Sequence, residues 1–297
     1  MSVFPLVEAE KAEGGNVAKC CALMEVSRSA YYEWSKHRPS RRQLADAELM
    51  DKIHGIFDAS RRTYGWPRVH AALRRAGIRA SRKRVARLMS QAGLVGRCQR
   101  KKTRTTFSDP EAKALDLVRR AFGPGIELDR TWVGDITYVR TWEGWLYLAS
   151  VIDLASRRVV GWAMADHMRA ELVCDALAMA IANRRPRPGL IFHSDRGSQY
   201  GSEEFIKLLK GNSITQSFSR PAQCWDNAVG ESWFSTLKNE LIHRHAWPTR
   251  ACARQAIFEF IEVFYNRQRL HSSLGMLSPV EYEETLTIHQ HPATQAA

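Results

Sequence analysis

The chain has 297 residues, 44% of them apolar, enough for a substantial core and roughly two domains. Its formal charge of +13 is unevenly placed: residues 1–110 hold 23 Lys and Arg against 10 Asp and Glu, while residues 111–297 hold 21 of each, so a polyanion gripped by one part and processed by another is expected, a merely solvated basic face being the alternative. Six cysteines without a C-x-x-C pair do not suggest a disulfide framework or zinc module, and a start without the basic-then-apolar order of a secretory signal, with no apolar run of about 18 residues, leads us to expect a soluble cytoplasmic, nucleoid-associated chain without membrane contact.

In the basic part, Val17 to Leu23 has a short helical apolar pattern, and Ser27 is placed to cap a second helix carrying Tyr31, Tyr32 and Trp34. Residues 16–37 thus form one helix-turn-helix candidate, or an ordinary helical hairpin. Residues 64–97 form another. Pro67 opens a stripe of Val69, Leu73 and Ala76, Gly77 breaks it, and Ser81 caps a helix with Val85, Leu88 and Met89 facing inward. Arg82, Lys83, Arg84 and Arg87 cluster at the front of that helix, the part that enters the major groove in helix-turn-helix proteins. We expect a basic helical DNA-binding region over 1–105 and a charged linker over 106–124.

From residue 125 the pattern changes to strands: "RTWVGDITYVR", "LYLASVID" and "RRVVGWAM", then a helix with Leu172, Ala176, Leu177 and Ala180, then "LIFHSD", "SEEFIKLLK", "ITQSF" and a helix from near Asn227. The order β-β-β-α-β-α-β-α predicts an α/β fold, a ribonuclease-H-like mixed five-stranded sheet with flanking helices over 125–285, preceded by the all-α helix-turn-helix region. A flexible tail is expected over 286–297.

Three acids stand out. Asp135 sits inside the first strand among Trp132, Val133, Ile136 and Tyr138, where a carboxylate is costly unless paired or metal-bound. Asp195 ends the fourth strand in "LIFHSDRGSQY", and Glu231 lies on the first turns of the following helix. In this topology the first and fourth strands are central neighbours, which sets the two aspartates side by side. Gathered carboxylates repel and raise one another's pKa, and a divalent cation relieves this. Oxygen ligands in small number suit Mg²⁺, and two such ions roughly 3.5–4 Å apart clamp a phosphodiester for in-line attack. Asp153 and Asp226 are rival carboxylates, Asp153 being better placed to shape a turn.

These segments, "GDITYV", "HSDRGSQY", "DNAVGESWFSTLKNEL" and "YNRQRLHSSLGMLSP", make the sequence resemble the DDE transposases of bacterial insertion sequences. The likeness is to the OrfB type of the family numbered three, related to retroviral integrases. Thirty-five residues separate Asp195 from Glu231, as is typical there. The resemblance implies an integrase-like core with Asp135, Asp195 and Glu231 as catalytic metal ligands, two Mg²⁺ ions (Mn²⁺ substituting), and DNA as substrate, both the element's terminal inverted repeats and the target. It also implies hydrolysis followed by 3′-hydroxyl strand transfer, and a homo-oligomer assembled on DNA. An upstream OrfA-type protein or fusion is a further expected partner, since no heptad segment appears here. A nuclease of the same fold without strand transfer, and a DNA-binding regulator that does not cut, are the alternatives.

Supporting residues are read with two meanings each. Glu231, Ser235 and Lys238 share one helix face, so Lys238 either reaches a DNA phosphate or is solvated. Asn227 caps the catalytic helix, in a supporting or purely structural role. His193 either orients water or the scissile phosphate, or is a hydrogen-bonded histidine near the core. Arg267, Arg269 and His271 either contact DNA or cover the end of the preceding helix. His243 and His245 lack ligand partners and are read as surface or packing residues.

Overall fold

A computed structural model of the chain describes residues 3–36, 40–97, 127–219 and 228–290. The chain folds as two compact units, Met1–Gly55 and Ile56–Ala297. In the first, α1 (Phe4–Ala12), α2 (Val17–Leu23) and α3 (Arg28–Ser35) gather around buried Val7, Cys21 and Tyr31. The caps are local and legible. Asn16 Oδ1 accepts the Ala18 and Lys19 amides at 2.9 and 3.2 Å, and Ser27 Oγ accepts that of Ala30 at 3.0 Å. Between them Glu25 takes the left-handed backbone region, φ 52°, which makes the turn tight.

α4 (Arg41–Ala59) carries the chain across the boundary, and α5 (Trp66–Arg75) and α6 (Arg82–Gln91) form the second helix pair. Gly77, at φ 76°, ends α5, and Ser81 Oγ accepts the Arg84 amide at 3.2 Å to start α6. Val69, Leu73, Val85, Leu88 and Met89 are buried as the periodicity requires. This pair belongs to the same compact unit as the sheet that follows. The Tyr64 hydroxyl accepts the Leu270 amide at 2.7 Å and donates to the Gln268 carbonyl at 3.2 Å, and Arg75 pairs with Glu281. The expected linker falls in 98–126, outside the described residues.

The sheet has the order β3-β2-β1-β4-β5, from β1 (Thr131–Thr141), β2 (Gly144–Asp153), β3 (Val159–Ala165), β4 (Ile191–Ser194) and β5 (Thr215–Phe218). β1, β2 and β3 are successive antiparallel neighbours; β4 joins β1 in parallel and β5 joins β4 in parallel. Gly144, at φ 110°, closes the β1–β2 hairpin. One sheet face packs on α7 (Ala170–Arg184) and α8 (Glu203–Gly211) through Trp132, Val151, Leu172, Leu177, Phe192 and Phe205. α7 approaches so closely that a Cβ on Gly161 of β3 would stand 2.3 Å from the Ala176 carbonyl.

After β5 come α9 (Ala228–Glu240), α10 (Arg250–Glu259), a π-helical turn over Phe260–Tyr265, and α11 (Pro279–Gln290). α11 therefore occupies the start of the expected tail. It is tied down by a buried polar knot. Asp153 accepts the Ser156 and Asp129 amides at 2.8 Å, Ser156 donates to Glu283 at 2.8 Å, and Glu283 pairs with Arg158 and Arg184 at 2.6 and 2.9 Å. Asp153 is thus the turn-shaping residue of the β2 end. α1, α4 and α11 were not expected from the sequence.

Candidate active site

Asp135 owes its position to strand pairing. It lies on β1 opposite Ser150 of β2, and β1 pairs with β4 through Val133 and His193. Asp135 and Asp195 each follow that last registered pair by two residues, so they leave neighbouring parallel strands at the same level and on the same side. The Ile136 amide donates to Asp135 Oδ1 at 2.8 Å, and the Gly197 amide donates to Asp195 Oδ1 at 3.1 Å as the chain turns after β4. A Cβ on Gly134 would stand 2.4 Å from Phe192 Cζ, so glycine before Asp135 is what lets the Phe192 and Tyr200 rings lie under the strand.

Glu231 arrives on α9. Trp233 and Leu237 are buried, and Trp233 Nε1 donates to Ser150 Oγ at 3.1 Å, fastening α9 to the β2 residue directly opposite Asp135. The stripe Glu231, Ser235, Lys238 stays at least partly open to solvent. Lys238 Nζ lies 5.5 Å from the Tyr138 ring centre, on the same strand as Asp135.

The electrostatics register the gathering. Burial pushes the Asp135 carboxyl from its ordinary 3.8 up to about 7; Asp195 and Glu231 add to the rise, against the Ile136 amide and Lys238. Burial raises the Tyr200 phenol well above its usual value, with further contributions from the negative charges of Asp135 and Asp195. Asp195 and Glu231 thus both act on Asp135, with Asp195 the stronger influence. They are not a closed cage: among the described residues no three His, Cys, Asp or Glu side chains are set to hold a metal ion. A half-buried carboxylate repelled by two others fits a divalent cation nonetheless. Mg²⁺ is commonly held by one or two carboxylates, the rest of its shell being water and phosphate oxygens.

The remaining expected site residues separate. Arg82 and Lys83 are exposed at the front of α6, Arg84 and Arg87 are half-buried there, and Arg87 donates to Gln91 at 2.9 Å. Arg267 is exposed. Arg269 is corrected: it is 5% exposed and forms a two-pronged ion pair with Glu240 at 2.6 and 2.8 Å, so it locks the C-terminal segment to α9 and is not a surface cation awaiting DNA. His193 is fully buried, its Nδ1 2.9 Å from Ser217 Oγ and its Nε2 3.2 Å from Ser219 Oγ, which ties β4 to β5 and turns the ring away from solvent. Asn227 and the rival Asp226 lie outside the described residues. His243 and His245 are exposed, His245 against Trp247. Reading along the chain missed Ser150, Tyr200 and the Glu240–Arg269 pair. Only Tyr200 had a signal, its place five residues after Asp195 in the segment that carries the second acid.

A five-stranded sheet in this order, with one acid inside β1, a second just past β4 and a third on the helix over them, defines a ribonuclease-H-like integrase core. Family models agree: residues 127–224 and 212–279 match integrase core domains, and residues 43–102 match an HTH-like domain. The chain is 38% identical over 286 residues to the transposase InsF of insertion sequence IS3A from Escherichia coli K12, covering 94% of this chain and 98% of that protein. It is 41% identical over 265 residues to the uncharacterized 31 kDa protein of insertion element IS600 from Shigella sonnei, covering 89% and 97%. The transposase of IS904 from Lactococcus lactis is 39% identical over 251 residues, covering 83% and 98%. Among solved structures, a chain of the simian T-cell lymphotropic virus intasome aligns at 16% identity and TM-score 0.46, covering 77% of this chain and 72% of that one. The chain belongs to the insertion-sequence transposase family of these relatives.

Proposed function

We propose that this transposase binds the ends of its element, cuts a phosphodiester there, and joins the freed 3′-hydroxyl to another DNA, with Asp135, Asp195 and Glu231 holding two Mg²⁺ ions for which Mn²⁺ substitutes. The supporting observation is the Asp135 carboxyl, pushed up to about 7 by burial, with Asp195 and Glu231 adding to the rise. Bound Mg²⁺ supplies Lewis-acid activation of the attacking oxygen and neutralises charge on the departing one. In the first step water attacks phosphorus and the bond to the 3′-oxygen breaks, leaving a 3′-hydroxyl and a 5′-phosphate. In the second that hydroxyl attacks a target phosphodiester, whose own 3′-oxygen departs.

The chain's residues divide this work. β1 and β4 fix the two aspartates, and the Trp233–Ser150 bond holds α9 so that Glu231 faces them. Lys238 steadies a phosphate beside Asp135, and Arg82, Lys83, Arg84, Arg87 and Arg267 meet the DNA backbone or base edges. The organisation we propose is a DNA-binding region over 1–105, a linker over 106–124 and a catalytic core over 125–285. The assembly is a homo-oligomer on paired DNA ends, with an OrfA-type partner, in the cytoplasm at the nucleoid. Among the described residues no helix is long and apolar enough to cross a membrane.

The test is an oligonucleotide end with a free 3′-hydroxyl, incubated with plasmid and Mg²⁺. Joined product is expected, and Asp195→Asn should abolish it while DNA binding persists. Nicks without joining would reduce the protein to a nuclease, and binding without any cut would make it a regulator.

A further inference from the structure

The β1–β2 hairpin carries aromatic rings that the core does not use. Tyr138, Trp142 and Trp145 are 55%, 76% and 44% exposed. Single exposed apolar side chains are ordinary on a protein surface, but three large rings on one hairpin keep so much area in water that something is expected to cover them in use. The Tyr138 and Trp145 rings already meet edge to face, their centres 5.1 Å apart. The hairpin is also held stiffly. The Trp142 amide donates to the Trp247 carbonyl at 3.0 Å, and Arg250 Nε donates to the Trp145 carbonyl at 3.1 Å, which fastens the turn to the segment that opens α10.

Charge and position say what covers the rings. Arg140 is exposed and lies directly opposite Trp145 across the hairpin. Glu143, the acid of the tip, accepts the Arg250 amide at 2.8 Å. β4 accompanies β1 only as far as Val133, and it is along the later half of β1 that Lys238 meets the Tyr138 ring. The same ammonium favours the charged form of Asp135, so the rings and the acid site share one cation. Tyr138 is three residues along β1 from Asp135, about 10 Å at the rise of a strand and roughly the length of three stacked nucleotides. Cations interleaved with open ring faces suit a ligand that offers both charge and flat faces, a nucleic-acid strand whose bases are unpaired. A second copy of the hairpin suits them less, because in a two-fold contact the patch meets itself and sets Arg140 and Lys238 against their own copies.

We propose that Tyr138, Trp142 and Trp145 form a stacking platform for unpaired bases of the DNA strand next to the phosphodiester at the acid site, with Arg140 seating the adjoining phosphates. This rests on the transposase reading and adds to it where the strand runs and that its bases are unpaired there.

Anisotropy of fluorescein-labelled DNA with the full chain in EDTA tests the platform without cleavage. Three random-sequence ligands are compared: a blunt duplex, the duplex with a short single-stranded overhang on either strand, and the same overhang built from abasic residues, which keep the phosphates and lack the bases. Trp142→Ala and Trp145→Ala should each weaken binding of the base-bearing overhang about tenfold and leave the blunt and abasic ligands within about twofold, with the salt slope unchanged because no cation is removed. Trp142→Phe, which keeps a ring, should bind like wild type. Phe258→Ala, at an exposed ring on α10, is the control for loss of a surface aromatic. Unchanged binding of the blunt duplex shows that the variants fold, and Trp142, at the exposed tip, is the substitution folding tolerates best. The proposal is overturned if both alanine variants bind the base-bearing overhang like wild type, or if they weaken all three ligands equally. It is overturned as well if the variants alter sedimentation of the free chain and leave overhang binding intact, which would make the hairpin an interface between copies. Strand joining by wild type in Mg²⁺ is scored separately. Base-dependent binding lost from the variants of a protein that never joins strands would sink the catalytic reading and keep the platform, and joining with variants insensitive to the overhang would do the reverse.

Discussion

Replacing Asp135 with asparagine should stabilise the metal-free protein at alkaline pH while destroying its activity. Folding raises this carboxyl from 3.8 to about 7, so between those values the native state keeps a proton the unfolded chain has lost. The stability from that proton is complete below about pH 4, declines as pH climbs through 7, and is gone above it. A displacement of about three pH units corresponds to about 4 kcal/mol at most. The side chain is only half-buried, so solvent screens part of this, and about 2 kcal/mol is the better expectation. For a unit of this size that amounts to about 4–8 °C in Tm. Thermal denaturation in EDTA at pH 4.5 and pH 8 measures it as the difference between Asp135→Asn and wild type, which cancels every other titrating group. The two proteins should nearly coincide at pH 4.5, and the variant should melt higher at pH 8. Excess Mg²⁺ at pH 8 should then raise the wild-type Tm by mass action and leave the variant's unchanged. A variant that melts below wild type at pH 8 would refute the account of Asp135 as a repelled, cation-seeking carboxylate.

Arg269→Ala leaves Glu240 buried without its two-pronged partner and should cost about 3–5 kcal/mol in urea unfolding, with the salt slope of DNA binding unchanged by the substitution. A lowered slope without loss of stability would return Arg269 to the DNA surface. Gly134→Ala drives a methyl into Phe192 and should cost about 1–3 kcal/mol, with strand joining lost out of proportion as Asp135 shifts. Trp233→Phe keeps the packing but removes the bond to Ser150, and should lower kcat more than it raises KM, at about 1 kcal/mol of stability. Lys83→Ala, at the exposed front of α6, should lower the salt slope of DNA binding by about one and leave Tm untouched.

Much of this molecule could be read along the chain. The five strands follow from alternation and β-branched runs, Ser27 and Ser81 announce their helices, and Asp135 is conspicuous because a carboxylate among Trp132, Val133 and Ile136 contradicts its surroundings. These are local signals, each carried by a few consecutive residues. Arg269 shows the limit. In sequence it is one more cation in a basic run, and only the fold reveals Glu240, 29 positions earlier, waiting for it. Of the two readings of His193, orienting water or the scissile phosphate or hydrogen-bonded near the core, the chain alone could not choose; the fold sets Ser217 of β5 and Ser219 just after it against the two ring nitrogens. The charge along the chain changes near residue 110, yet the compact units divide at residue 55, because Tyr64 and Arg75 bind the C-terminal segment that passes them. Strand, cap and isolated acid are properties of neighbours in the chain. The partner of a buried charge and the outline of a domain depend on residues that are distant along it, and only the packing of helices on the sheet decides which of these meet.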